Sequence, residues 1–226
     1  MNAYRQYWLL TGLFVSAAIF GVHAGIVGWV MTKFPDLQGQ LITLVIIGIF
    51  LYTYIVHGHQ AAKRLSKNHL ALQCIESGGS MYHDGTEVEI SLKEVLNLRK
   101  AGVEAGQSDF SKLYEVAEDQ FEDQISVRIG QIDTIRVFLF FVGLLFTVVG
   151  IVQGFAFQQS PTNAEEAKMY SSAIIKALGL AYLPATECLG ATLILFVLSN
   201  LLQSHANALI AGFRRVLYRA VFLGVH

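Results

Sequence analysis

The chain has 226 residues, of which 54% are hydrophobic and 15% charged, and its formal net charge is −1. A soluble domain of this size could not hide so much apolar surface, and a net charge near zero gives no electrostatic footprint for nucleic acid. Neither the spacing nor the location of Cys74 and Cys188 fits a disulfide or a CxxC metal site, so both read as reduced, inert thiols.

Four apolar runs organise the sequence: Trp8 to Met31, Leu41 to Val56, Val137 to Phe157 and Ile174 to Leu202. A helix needs about 20 mostly apolar residues to cross a bilayer, so the first, third and fourth runs can each span, and the second reaches with tilt or local thinning. The first run is too long for a signal peptide, and its exit, Phe34-Pro35-Asp36, lacks a small-residue cleavage pattern, so it is expected to remain in the mature protein. Tyr4, Trp8 and Trp29 read as residues of the interfacial aromatic belt. Arg5, the basic residues from Lys63 to Arg136, and Arg214, Arg215 and Arg219 fall on one side of the membrane if both termini are cytoplasmic. The short outer connections carry only Lys33 and Lys168, the latter beside Glu165 and Glu166.

The polar middle segment, about 58 to 136, reads as mainly helical. The second span continues from His57 to Glu76 and stops at Gly78-Gly79, and His83-Asp84-Gly85 marks a turn beside a short strand at Glu87 to Ile90. Ser91 and Glu94 fit a capping box for a helix ending near Gly102. Ser108 or Asp109 then opens a stretch with no Pro before Pro161, so one helix of about 70 Å is expected to run from cytoplasm through the membrane. The expected fold is an all-α integral membrane protein with four transmembrane helices and long cytoplasmic helical extensions. Its parts are an N-terminal hairpin at 1–57 (spans at about 8–31 and 40–57) and a cytoplasmic helical segment at 58–134. A core at 135–204 (spans at about 135–157 and 173–203) and a cytoplasmic tail at 205–226 follow.

Small residues mark the last two spans. Gly143, Thr147, Gly150 and Gly154 recur at spacings of four, three and four, which places them on one helical face, and Gly150 to Gly154 is a GxxxG pair. Ala173, Ala177, Ala181 and Ala185 repeat every four residues, and the ridge continues through Cys188, Thr192 and Ser199. Such faces let helix backbones approach closely in lipid, either for packing alone or to receive a partner's polar group. Glu187 is the only acidic residue well inside a span, where a charge costs roughly 2.5 to 3.5 kcal/mol. It lies about 100° or more around the helix from the Ala181 and Ala185 ridge. Tyr52, Tyr54 and His23 are its candidate partners, and both a proton relay and a structural polar contact fit it.

The stretch Gln124 to Phe155, with Arg128, Ile132, Thr134 and Val142-Gly143-Leu144-Leu145-Phe146-Thr147-Val148-Val149-Gly150, resembles the third-helix motif of the MotA/TolQ/ExbB proton-channel family, which typically reads LGLLGTVxG. Ala173-Ile174-Ile175-Lys176-Ala177-Leu178 resembles the start of that family's last helix. The resemblance covers roughly the C-terminal 80 residues, and four spans with a cytoplasmic segment between the second and third are similar to the MotA branch. It implies a homopentamer in a bacterial inner membrane, around the single-span helices of a MotB/TolR/ExbD-like partner whose membrane Asp carries the ion, with ion flow driving relative rotation and mechanical work. It also implies that Thr147 lines the ion path, where its hydroxyl can donate and accept. The other reading of Thr147 is a hydroxyl bonded to its own helix carbonyl.

Departures from the family pattern bear on the ion. Phe146 stands at a usual glycine, Ala181 at the usual threonine, Pro184 at a usual glycine, and Gly190 at a common proline. With one hydroxyl missing, a proton fits better than a sodium ion, which needs several oxygens, unless Thr186 compensates through a helix unwound near Pro184. The expected ion-pathway residues are therefore Thr147, Ala181, Thr186 and Glu187, and the packing or partner-facing residues are Gly143, Gly150, Gly154, Ala177, Pro184 and Ala185.

No nucleotide-binding loop, nucleophile triad or metal-spaced cluster is present, so no conventional enzyme activity, cofactor or metal is expected. Of the seven histidines only His23 lies deep in a span, and no facing pair at one depth is evident, which argues against a bis-imidazole haem. Lys176 reads as a headgroup anchor. An acidic strip, Asp109, Glu115, Glu118, Asp119, Glu122 and Asp123, reads as a solvated face or as a contact for a cytoplasmic rotor or effector. The alternative function is a non-conducting membrane scaffold or a small transporter subunit.

Overall fold

A computed structural model describes residues 2–23, 37–78, 85–156 and 163–223, with the side chains of 19–23, 37–40, 153–156, 176–181 and 183 outside the described set. Every regular element among the described residues is helical: α1 (Ala3–His23), α2 (Leu37–Tyr52), a π-helical segment (Thr53–Gly58), α3 (His59–Glu76), α4 (Glu87–Glu104), α5 (Ser111–Ala156), α6 (Ala164–Tyr218) and a final π-helical segment (Arg219–Leu223). Among the described residues, three helical stretches are long and apolar enough to cross a membrane: Leu41–Glu76, Ser111–Val152 and Pro184–Leu223. The end of the first apolar run, 24–31, and the outer connection after it lie outside the described residues.

Helices α1, α4, α5 and α6 start where a short polar side chain can accept from an otherwise unpaired first-turn amide. Asn2 Oδ1 accepts from the Tyr4 amide at 3.1 Å, Asp109 Oδ1 from Ser111 at 2.9 Å, and Asn163 Oδ1 from Glu166 at 2.8 Å. Helix α3 ends at Ser77 with Gly78 at φ 75°, and the turn after α4 uses Gly106 at φ 77°, left-handed positions that glycine adopts without a Cβ clash.

The expected strand at Glu87 to Ile90 is helix instead. Glu87-Val88-Glu89-Ile90 alternates like a strand, but Thr86 caps the segment, its Oγ1 accepting from the Glu89 amide at 3.4 Å. The cap is therefore Thr86 and not Ser91, and the buried set Val88, Leu92 and Val95 follows helical spacing. Helix α4 runs to Glu104, two residues beyond the expected stop.

The second span is longer than its apolar run. Helix α2 passes through the π-helical segment into α3, and Thr53, fully buried there, donates to the Ile49 carbonyl at 2.8 Å. Helix α5 has 46 residues, about 70 Å, and α6 has 55 with Pro184 inside it.

The chain divides into two compact units. One comprises Met1–Leu9, His57–Gln131 and Leu198–His226, and the other Leu10–Val56 and Ile132–Val197. The core of the first is built on Phe121 and Phe213, stacked with ring centroids 3.8 Å apart, and on buried Leu72, Leu92, Ile129 and Leu209. Asn68, fully buried, ties α3 to the start of α4: its amide donates to Glu87 and to the Arg64 carbonyl, and its oxygen accepts from the Val88 amide at 3.1 Å. Arg64 pairs with Glu87 as well, Nε to Oε1 at 2.7 Å. The second unit is apolar, with Ile46, Phe50, Leu139 and Leu195 buried and Phe14, Phe50 and Tyr54 in mutual ring contact.

Candidate intramembrane acid site

In the apolar unit, Glu187 of α6 lies inside the stretch Pro184–Leu223 that is apolar enough to cross a membrane, whereas Asp133 of α5 pairs with Arg136 at 3.2 Å. The Thr43 hydroxyl of α2 donates to Glu187 Oε1 at 3.2 Å, and Thr43 is only 6% exposed. Glu187 Oε2 is enclosed and has no hydrogen-bond partner among the described residues. One oxygen is thus held by a neutral donor and the other is idle, an arrangement that gives a bare carboxylate little stabilisation and leaves Oε2 open to a proton.

The partner differs from the expected ones. Tyr54 points its hydroxyl to Thr11, with 3.1 Å between the oxygens, Tyr52 is exposed, and the His23 side chain lies outside the described residues. Thr43 is one of two threonines in the run Leu41 to Val56, and nothing in the local sequence links it to Glu187.

The small-residue faces meet within this unit. A Cβ on Gly143 would lie 2.9 Å from Cys188 Cβ, 3.5 Å from the Ala185 carbonyl oxygen and 3.6 Å from Ala185 Cα. Gly143 is therefore where the α5 and α6 backbones approach closely inside one chain, and buried Leu139 and Gly150 share its stripe. Thr147 donates to the Gly143 carbonyl at 3.0 Å, the own-helix bond, which leaves its oxygen lone pairs as acceptors. Thr192 reaches the Arg136 carbonyl at 3.5 Å, and the Arg136 guanidinium lies 5.1 Å from the Phe196 ring centroid.

No family model, curated protein or solved structure matches the chain.

Around Pro184 the helix is continuous, so the unwinding that would let Thr186 compensate does not occur. Pro184 is buried, and the exposed Thr186 donates its hydroxyl to the Tyr182 carbonyl at 2.6 Å, capping off an acceptor of the same helix. As at Thr147, this own-helix bond commits the Thr186 proton to its own helix. The side chains of Ala177 and Ala181, and the surroundings of Gly154, lie outside the described residues.

In the other unit the acidic strip is partly engaged. Arg214 pairs with Glu118 at 2.6 Å and with Glu122 at 3.3 Å, and Arg215 pairs with Glu76 at 3.3 Å. Asp109 caps α5, and the hydrogen bonds from the Ser111 hydroxyl and amide hold its carboxyl below the ordinary aspartate value.

Proposed function

We propose that the chain is the proton-conducting subunit of an energy-transducing membrane complex of the MotA/TolQ/ExbB kind. In this reading four spans cross a bacterial inner membrane with both termini cytoplasmic. Copies of the chain form a ring around single-span helices of a MotB/TolR/ExbD-like partner bearing a membrane Asp, and ion flow does mechanical work on that partner. The observation that carries it is Glu187, an acid in an apolar helix bundle with Thr43 on one oxygen and an enclosed, unpartnered second oxygen. The Gly143 to Gly150 motif supports the family, and Thr147, with acceptor capacity left on its hydroxyl, supports a hydrated path beside it. A proton fits this site better than sodium, because one carboxylate and one or two hydroxyls fall short of the oxygen shell a dehydrated cation needs.

A second reading, a non-conducting scaffold, is favoured by the contact of Gly143 with Ala185 and Cys188 of its own chain, which uses part of the thin face for internal packing. Proteoliposome proton flux separates the two. Co-reconstituted with the candidate single-span partner, the native chain should conduct and Glu187→Gln should not. Flux that is partner-dependent and unchanged in both Glu187→Gln and Thr147→Ala removes those residues from the path, and no flux at all leaves the scaffold.

A further inference from the structure

The unit outside the apolar bundle contains a cavity of about 240 Å³ that the proposed conduction does not use. Its wall brings together α1, α3 and α6 through Asn2, His69, Gln73 and His205. We propose that His69 and His205 bind a divalent transition cation of the zinc class in this cavity.

The chemistry of the lining carries the assignment. Both imidazoles are half-buried in the wall of the same cavity, so a dication seated there can accept a lone pair from each. The tautomer of His205 is fixed by its neighbour. Its Nε2 lies 2.6 Å from Gln6 Oε1, an atom that can only accept, so Nε2 carries the hydrogen and Nδ1 keeps the lone pair needed for a metal. A ligating histidine whose other nitrogen donates to an oxygen is the usual arrangement at imidazole metal sites.

Asn2 is committed elsewhere. Its amide nitrogen donates to Ser66 at 2.6 Å and its oxygen caps α1, so it shapes the wall without supplying a ligand. Gln73 is exposed and also lines the cavity, and its side-chain amide carries an oxygen suited to a cation. Two imidazoles, one amide oxygen and water favour zinc, nickel or copper over magnesium, which prefers an all-oxygen shell. Among the described residues there is no group of three or more His, Cys, Asp and Glu side chains suited to a metal, so the ion is held by two strong ligands and exchanges readily.

Isothermal titration of the detergent-solubilised full chain with Zn²⁺ tests the site. One saturable ion per chain is expected, undisplaced by excess Mg²⁺. His69→Gln and His205→Gln should each weaken binding about tenfold or more, and Gln6→Leu should weaken it by less than either. A measurement on the native chain needs no variant: Zn²⁺ should protect His69 and His205 from carbethoxylation, read by peptide mass spectrometry. No saturable uptake, uptake indifferent to both histidine substitutions, or carbethoxylation of the two histidines unaffected by Zn²⁺ overturns the proposal. Because conduction is read by flux and this site by binding, either can fail alone.

Discussion

At Glu187 the two oxygens have different fates, and substitutions can address them separately. Thr43→Val keeps the shape of the side chain and removes the one donor to Oε1, leaving a buried polar group unsatisfied at a cost of about 1–3 kcal/mol. Stability in detergent should fall by that order, and proton flux should slow without vanishing, because the acid itself remains. Glu187→Gln keeps an acceptor for Thr43 but cannot exchange a proton, so it should abolish flux with little change in the unfolding midpoint. Equal loss of stability in the two variants would mean that Glu187 serves packing alone. Gly143 gives a second contrast. A methyl there meets Cys188 Cβ at 2.9 Å beside the Ala185 backbone, which cannot move as a side-chain tip can, so Gly143→Ala should cost about 1–3 kcal/mol. Adding Cys188→Gly should recover part of that loss, a non-additivity that thermal unfolding of the single and double variants would measure.

Among the elements, the start of α4 depends on side chains from α3. Asn68 satisfies the Val88 amide and Glu87 together, so Asn68→Leu should destabilise this unit by more than the roughly 1 kcal/mol expected for the cap variant Thr86→Ala. Burial opposes the charge on Glu87, but hydrogen bonds from Asn68, from its own backbone amide and from Arg64, with the Arg64 charge, outweigh it and hold the carboxyl below the ordinary glutamate value. The folded state therefore releases this proton more readily than the unfolded chain. Its stabilisation is complete above the unfolded pKa of about 4.3 and is lost as pH falls through the lower folded value. Acid unfolding followed by circular dichroism should show a decline over that window which is shallower in Glu87→Gln. The same junction shows what a sequence can reveal. The apolar runs, the Asp109 cap and the long α5 were legible, because hydropathy and capping are local. Glu87 to Ile90 misled, because four residues fit period 2 and period 3.6 equally well until the Thr86 cap and the Val88, Leu92, Val95 stripe are read together. The Thr43 to Glu187 bond was hidden, because it joins residues 144 apart and nothing in either local pattern names the other.

On the scale of the whole chain, apolar surface is the dominant fact. In the stretch Ser111–Val152 the most apolar window is 17% buried inside the chain, and Phe138, Phe141, Leu145, Val148 and Val152 stand exposed. So large an apolar face has no stable place in water, and lipid or further subunits must cover it. The two cysteines turn this into a topology test. Cys74 is exposed near the end of α3, and Cys188 is fully buried against Gly143 in the apolar unit. The proposed orientation, with both termini and the polar middle segment in the cytoplasm, follows from the basic residues that flank the apolar runs. A membrane-impermeant maleimide should therefore leave right-side-out vesicles unlabelled, label Cys74 in inverted vesicles, and reach Cys188 only after denaturation. Cys74→Ser should remove the label from native inverted vesicles altogether. Labelling of Cys74 from the outer face would place α3 across the membrane from the position the charge pattern requires. The four-span arrangement would then fail, and the ring reading with it, since the acid-bearing partner could no longer be approached by the same helices from the same side.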